Sequence, residues 1–209
     1  MPLHQARLYA ILDTSYVEPH QWKATAKALL EGGADIIQLR AKNETHSRRR
    51  VLLEAILPYF EGLEVPLIVN DDLELALAYP NIGLHVGQSD VPPKKAREQL
   101  GPKRLLGLST HSIDQAQIAA NLAETLDYFA IGPLFATPTK PDYPSVGLTV
   151  AQRVSKLKTQ LPIFGIGGIN PTTVSEVLAT GIKRVVAVSA LLCANDIAKA
   201  TYHLKRYLS

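Results

Sequence analysis

Cys193 is the one cysteine in this 209-residue sequence. A lone thiol can form neither an intramolecular disulfide nor a Cys-based zinc site, so nothing points to an oxidising compartment. The opening MPLHQARLYAILD lacks a basic n-region followed by an apolar core and a small-residue cleavage site. No secretory signal is expected there, and a cytoplasmic protein is. No apolar run approaches the roughly 18–20 residues that span a bilayer, which sets membrane roles aside. Excess charge is scarce too: the formal balance is +3, the basic residues are scattered, and only Arg48-Arg49-Arg50 forms a run. Binding nucleic acid takes a stripe of Lys and Arg tracking phosphates, so no nucleic-acid partner is expected. What is present is 46% apolar and 20% charged, a mixture that folds. No shift in composition marks a linker, and the length suits a single domain over 1–209.

The chain alternates short aliphatic runs with segments of helical period. Strands are expected at 7–12, 35–40, 66–69, 82–86, 104–108, 127–131, 163–165 and 184–188. Helices are expected at 20–31, 45–61, 72–78, 92–100, 112–124, 149–160, 171–180 and 195–207. The boundaries carry signals: Gly32-Gly33 after the first helix, Pro92-Pro93 opening the fourth, Ser112 as an N-cap and Asn170 before Pro171. Strict strand–helix repetition demands a parallel sheet, because each strand is re-entered from the same end through a helical crossover. Eight units predict a single-domain α/β protein with a (β/α)8 TIM barrel. The doubly wound open sheet is the rival, but no G-x-G-x-x-G follows the first strand, where Ala10-Ile-Leu-Asp-Thr14 stands. About 26 residues per unit make this a small barrel, with its chemistry confined to short loops.

Such barrels place their ligand sites at the C-terminal strand ends, and unusual residues collect there. In strand two the period of two puts Gln38, Arg40 and Lys42 on one face with Ile36, directed into the mouth. Two cations and an amide converging there are costly without an anion, and a phosphate or pyrophosphate is their natural complement. Strand three ends in Asn70-Asp71-Asp72 and strand four runs into Gly87-Gln-Ser-Asp90. Asp71 and Asp90 can share a hard cation, Mg²⁺, whose octahedron is completed by substrate phosphate and water, whereas Asp72 before Leu73 fits a helix N-cap. Strand five ends Ser109-Thr110-His111: Ser109 can donate to a phosphate, while His111 is a general acid/base or a cap. His85 inside strand four reads as a satisfied core residue. A long loop from Gly132 to Gly147 brings Thr137, Thr139 and Lys140, and is the natural mobile cover. Glycines in Gly165-Ile-Gly-Gly168, with Val188-Ser189 after the last strand, let backbone N–H groups approach an anion.

Taken together, LYAILD, QLRAK at 38–42, VNDD at 69–72, HVGQSD at 85–90, GLSTHS at 107–112, IGPLFATPTK at 131–140, GIGGIN at 165–170 and VAVSA at 186–190 resemble the thiamine phosphate synthase family over nearly the whole chain. The resemblance implies condensation of (4-amino-2-methyl-5-pyrimidinyl)methyl diphosphate (HMP-PP) with 4-methyl-5-(2-phosphoethyl)thiazole, giving thiamine phosphate and pyrophosphate. It implies that Gln38, Arg40, Lys42, Asn70, Ser109 and Lys140 hold HMP-PP and that Asp71 and Asp90 hold Mg²⁺. Thr137, Thr139, Gly168, Val188 and Ser189 would hold the thiazole phosphate. Leu39, Ala41 and Pro138, inside the same stretches, join the substrate-binding set. Arg40, Lys42 and Lys140 are the catalytic candidates, because displacing pyrophosphate requires stabilising charge on the leaving group. Ala41 departs from the family, which commonly has Glu there; its parity points away from the mouth, so a packing or loop effect is expected.

Three other readings compete. A thiazole tautomerase-like isomerase would use His111 but would lack the pyrophosphate and metal set. An aldolase would use Lys140 as a Schiff-base nucleophile, although that lysine lies far into a loop rather than in a desolvated site. A phosphate-ligand sensor would bind both substrates without turnover. Whether the chain works alone or as a homodimer is left open by the sequence.

Overall fold

In the computed structural model, which describes residues 3–137 and 144–208, strands and helices alternate around a ring. The strands are β1 (Leu8–Asp13), β2 (Ile36–Arg40), β3 (Leu67–Asn70), β4 (Gly83–Val86), β5 (Leu106–Thr110), β6 (Tyr128–Ile131), β7 (Ile163–Ile166) and β8 (Arg184–Ala187). Each pairs in parallel with the next, and β8 returns to β1 with Leu8 opposite Val185, so the barrel is closed in strand order. The helices are α1 (Trp22–Glu31), α2 (His46–Ile56), α3 (Leu73–Ala78), α4 (Pro93–Leu100), α5 (Ile113–Ala120), α6 (Gly147–Val154), α7 (Val174–Ala179), α8 (Ser189–Leu192) and α9 (Ile197–Arg206). The fold is the expected (β/α)8 barrel. Among the described residues no helix is long and apolar enough to cross a membrane.

Strand alternation divides the core into two. Leu8, Ala10 and Leu12 of β1 face outward into a sheet–helix layer with Ile37, Leu39, Trp22, Leu53 and Val177. Tyr9 and Ile11 face inward and pack with Ile36, Ile68, Tyr128, Ala130, Phe164 and Val186. A period of two on every strand therefore fills the barrel with one set of side chains and attaches the helices with the other. Burying each large apolar side chain contributes about 1.5–3 kcal/mol. Trp22 shows how a polar atom is accommodated in the outer layer: its indole N–H donates to the Leu52 carbonyl at 3.2 Å.

Several boundaries differ from the sequence expectation, each for a visible reason. The second helix stops at Ile56 and not at 61, because Leu57-Pro58 turns the chain into a 3-10 segment, Leu57–Tyr59. The fifth begins as expected, with Ser112 Oγ accepting from the Gln115 N–H at 3.1 Å, but ends at Ala120, where the chain turns through Asn121 and Leu122. Regular α7 starts at Val174, since Asn170 Oδ1 accepts from the Thr172 N–H at 2.8 Å and holds a turn across Pro171. β5 begins at Leu106 instead of 104, because the Arg104 guanidinium donates to the carbonyls of Leu100 and Ala76 and its backbone leaves the sheet. Four-residue α8, directly after β8, has no counterpart in the sequence reading.

Inside the barrel Gly107 lies opposite Tyr128 in the β5–β6 register. A Cβ at 107 would stand 2.1 Å from Tyr128 Cζ, so the phenol lies across β5 only because position 107 has no side chain. Gly107→Ala should therefore destabilise the protein by about 1–3 kcal/mol or more, read as a lower urea midpoint at unchanged slope.

Candidate active site

The C-terminal strand ends surround two joined hollows. A deep, mostly apolar one is floored by Tyr9, Ile11 and Ile166 and receives Gln38, Arg40, Asn70, His85, Ser109, His111, Thr137, Gly168, Val188 and Ser189. A shallower polar one adjoins it, lined by Lys42, Asp71, Gly87, Gln88, Ser89 and Asp90, and shares Arg40, Asn70, Ser109 and His111 with the first. The expected site residues thus gather at one mouth, in two groups. Cations and carboxylates cluster at β2–β4, while Gly168, Val188 and Ser189 lie across the barrel at β7–β8. The side chains of Leu39 and Ala41 are placed otherwise, in the outer sheet–helix layer, so only their backbone groups face the mouth region. Pro138, Thr139 and Lys140 lie outside the described residues.

Arg40 is not an isolated cation. Its guanidinium donates to Asp13 Oδ2 at 2.5 Å, with 11% of the arginine side chain exposed and none of the aspartate's. Asp13 Oδ1 accepts from the Ser15 N–H at 2.9 Å, which fixes the carboxylate at the end of β1. One guanidinium edge is thereby anchored, and arginine's further donors turn to the cavity. Lys42 is exposed just beyond the strand.

Three consecutive residues after β3 do different work. Asp72 caps α3, its Oδ1 accepting from the Leu75 N–H at 3.0 Å, while Oδ2 takes Arg49 and His46, each at 3.1 Å. Burial opposes its ionisation, but those partners outweigh burial and hold its pKa below the usual carboxylate value. Asp71 is the reverse. It sits at φ +62°, a left-handed conformation uncommon for a residue with a side chain. Its pKa is pushed up to about 6, first by desolvation and then by the Asp90 carboxylate, with Asn70 and Lys42 pulling the other way. Asp90 is fixed in turn by the Gly87 N–H, which donates to its Oδ2 at 2.7 Å.

Two carboxylates held together despite their repulsion suit a shared divalent cation. Among the described residues no group of three His, Cys, Asp or Glu could enclose a metal, so a closed structural site is not what is built here. Two oxygen ligands with the remaining positions left to phosphate and water is the arrangement Mg²⁺ prefers. The residues present fit that ion.

The contacts of His111 include its backbone N–H donating to Gln115 Oε1 at 2.7 Å and its Nδ1 facing the Gly132 carbonyl at 2.6 Å. A carbonyl only accepts, so Nδ1 carries a proton. On the opposite rim Gly167 and Gly168 have φ of +100° and +66°. A Cβ on Gly168 would lie 2.7 Å from Phe135 Cβ, so glycine is needed for the turn to pass under the segment that follows β6. The first bonds of α8 run from Leu191 and Leu192 to the Val188 carbonyl, which leaves the amides of Ser189 and Ala190 ahead of the helical ladder.

The comparisons with known proteins match this geometry. Residues 8–191 match the family model described as thiamine monophosphate synthase. The chain belongs to that family. Thiamine-phosphate synthase of Mycobacterium sp. (strain KMS) is 41% identical over 213 residues, covering 97% of this chain and 92% of the relative. The enzyme of the same name from Thermobifida fusca (strain YX) is 40% identical over 206 residues, covering 99% and 94%. Among solved structures, thiamine phosphate pyrophosphorylase from Pyrococcus furiosus superposes with a TM-score of 0.85 at 28% identity, covering 97% of this chain and 95% of that one. A 3-hexulose-6-phosphate synthase at 16% identity, TM-score 0.72, shares the fold alone. Membership in the thiamine monophosphate synthase family places the chain among the transferases of thiamine biosynthesis.

Sequence reasoning missed Asp13 at the mouth, and Tyr9 and Tyr128 beneath it. For Asp13 the signal was there: it continues the inward parity of Tyr9 and Ile11, as Arg40 continues that of Ile36 and Gln38. The tyrosines were absorbed into apolar runs, where nothing marks a hydroxyl that bonds across the barrel.

Asp71 sets how the protein responds to pH and to a divalent cation. Its carboxyl binds a proton more tightly folded, near pH 6, than at its ordinary value of 3.8. Stability from this group is therefore greatest below about pH 4 and falls as pH rises to about 6. Asp71→Asn removes the repulsion, and asparagine tolerates the left-handed backbone, so the metal-free variant should melt no lower than the parent at pH 7. Its Mg²⁺-induced rise in Tm should vanish. In the parent, calorimetric Mg²⁺ binding should weaken and release more protons as pH drops through 6.

Proposed function

We propose that this chain is a thiamine-phosphate synthase that transfers the (4-amino-2-methyl-5-pyrimidinyl)methyl group from HMP-PP to 4-methyl-5-(2-phosphoethyl)thiazole. The observation that carries it is the convergence of Arg40, Lys42, Asp71 and Asp90 on one rim of a deep hollow whose opposite rim is the glycine turn at Gly168 with Val188 and Ser189. One rim suits a diphosphate and the other a phosphate.

The reaction breaks the methylene C–O bond, and the electron pair departs with pyrophosphate. The aminopyrimidine delocalises the developing methylene cation, and the thiazole nitrogen lone pair closes the new C–N bond. No proton has to move, which agrees with a mouth whose polar groups are charged clamps rather than an acid/base pair. Arg40, rigidly aimed by Asp13, and Lys42 stabilise charge accumulating on the leaving diphosphate, and Lys140 in the loop is assigned the same role. Asn70 and Ser109 fix its position, while Thr137, Thr139, Gly168, Val188 and Ser189 hold the thiazole phosphate. Gln38 sits deeper, at the pyrimidine end. Asp71 and Asp90 would hold Mg²⁺, which when bound would add neutralisation of the leaving group. The apolar floor of Ile11 and Ile166 excludes water that would otherwise intercept a methylene cation. The single reduced cysteine and the biosynthetic role suit the cytoplasm.

Purified protein given both substrates and Mg²⁺ should form thiamine phosphate and pyrophosphate in equal amounts. No product under conditions in which an established synthase turns over would refute the reading. Arg40→Ala should lower kcat about 10²- to 10³-fold, the usual loss when one charge-stabilising donor is removed. His111→Gln should leave turnover within about tenfold, because its ring moves no proton in this reaction.

A further inference from the structure

Beneath the charged rim a chain of hydrogen bonds crosses the barrel through five strands. Gln38 Nε2 donates to Tyr9 Oη at 2.6 Å, and Tyr9 Oη meets Tyr128 Oη at 3.0 Å. Tyr128 Oη meets His85 Nδ1 at 3.0 Å, and His85 Nε2 meets Ser109 Oγ at 2.9 Å. Gln38 and His85 are 2% and 5% exposed, and the tyrosines are sealed by Phe164, edge-on to both. The imidazole stacks on Tyr128 with ring centroids 5.5 Å apart, so it cannot rotate to other partners without unpacking the barrel.

In such a chain the protons cannot be placed independently. The amide nitrogen of Gln38 only donates, so Tyr9 Oη accepts from it. Burial holds both phenols in their neutral form, each with one proton to give. If Tyr128 gave its proton to Tyr9, the proton of Tyr9 would have no acceptor in this chain. Every proton is used only if Tyr9 donates to Tyr128 and Tyr128 donates to His85 Nδ1. His85 then carries its proton on Nε2 and donates to Ser109 Oγ. The serine hydroxyl, already accepting, turns its own proton outward to the mouth.

We propose that Tyr9, Tyr128 and His85 are positioning residues: a one-way hydrogen-bond relay that starts at Gln38 and obliges Ser109 to present a donor, not a lone pair, to the diphosphate of the substrate. With the opposite polarity Ser109 would spend its proton on His85 Nε2 and offer an anion only lone pairs. The relay thus sets the sign of a contact at the rim from an amide held in the barrel core, and gives a role to three polar side chains that the transfer reaction itself does not use.

The proposal rests on reading the rim as a diphosphate site, and the experiment separates the two. Long-range ¹H–¹⁵N correlation of the ligand-free protein, with His85 assigned by comparison with His85→Asn, should show the Nε2–H tautomer, Nδ1 being the bare acceptor. An Nδ1–H tautomer overturns the relay whatever the protein binds. Titration of the same protein with inorganic pyrophosphate in the presence of Mg²⁺ then tests the consequence. Ser109→Ala should weaken binding about tenfold in the parent, as expected for a lost hydrogen bond to a charged group. Tyr128→Phe alone should weaken it as well. Adding Ser109→Ala to Tyr128→Phe should cost less than about twofold more, because the serine has already lost its enforced polarity. Two losses that simply multiply would show that Tyr128 acts by packing only, and would overturn the proposal. A parent with the Nε2–H tautomer that fails to bind pyrophosphate would refute the diphosphate reading of the rim while leaving the proton order of the relay standing.

Discussion

Closure of eight parallel strands into a ring forces every second side chain of each strand into one enclosed space. Everything at the mouth follows from how this chain fills that space. Its lower part takes Ile36, Ile68, Phe164 and Val186, and its middle takes the tyrosines, Gln38 and His85, with polar atoms bonded to each other. The top receives Asp13 and Arg40. Arg40 and Asp13 are thus supported from below by a packed core, and neither can retreat into bulk water without leaving its strand. A rigid floor beneath a charged rim is what a reaction governed by position and electrostatics requires.

The aspartates show where the fold satisfies charge and where it does not. Asp35 accepts from the amides of Arg7 and Leu8 and pairs with Lys205, and Asp127 accepts from the Leu106 amide and pairs with Arg97. Asp72 caps a helix and takes Arg49. Those groups fasten strands and helices together. Asp71 faces Asp90 from a left-handed backbone, and burial together with the Asp90 carboxylate raises the cost of ionising Asp71. Strain and repulsion that the neighbouring carboxylates avoid are concentrated at the two residues assigned to the metal, the usual pattern where a site is shaped for a partner rather than for stability.

Much of this was legible from the residues because a strand's period of two is strict. Gln38 and Arg40 could be placed inside the mouth by counting from Ile36, and the same parity separates Leu39 and Ala41 from it. Asp72 could be told from Asp71 because a cap has a local pattern. Helix ends were less legible: at Ala120, Val174 and Leu57 the boundary is set by turns and side-chain bonds that compete with helical period. Contacts between distant strands were least legible. Nothing in the run LYAILD shows that Tyr9 meets Tyr128 from β6 or that Asp13 meets Arg40, since partners 119 and 27 residues away become neighbours only when the ring closes.

On this reading a divalent cation and a diphosphate jointly complete the unbalanced charges of the rim. Calorimetric titration with inorganic pyrophosphate, with and without Mg²⁺, is the sharpest test, because two ligands that complete one site must raise each other's affinity by the same factor. Pyrophosphate should bind at least about tenfold tighter with Mg²⁺, corrected for their association in solution, with the gain abolished in Asp90→Asn. Equal affinity in both conditions, or a gain that survives the loss of Asp90, would contradict it.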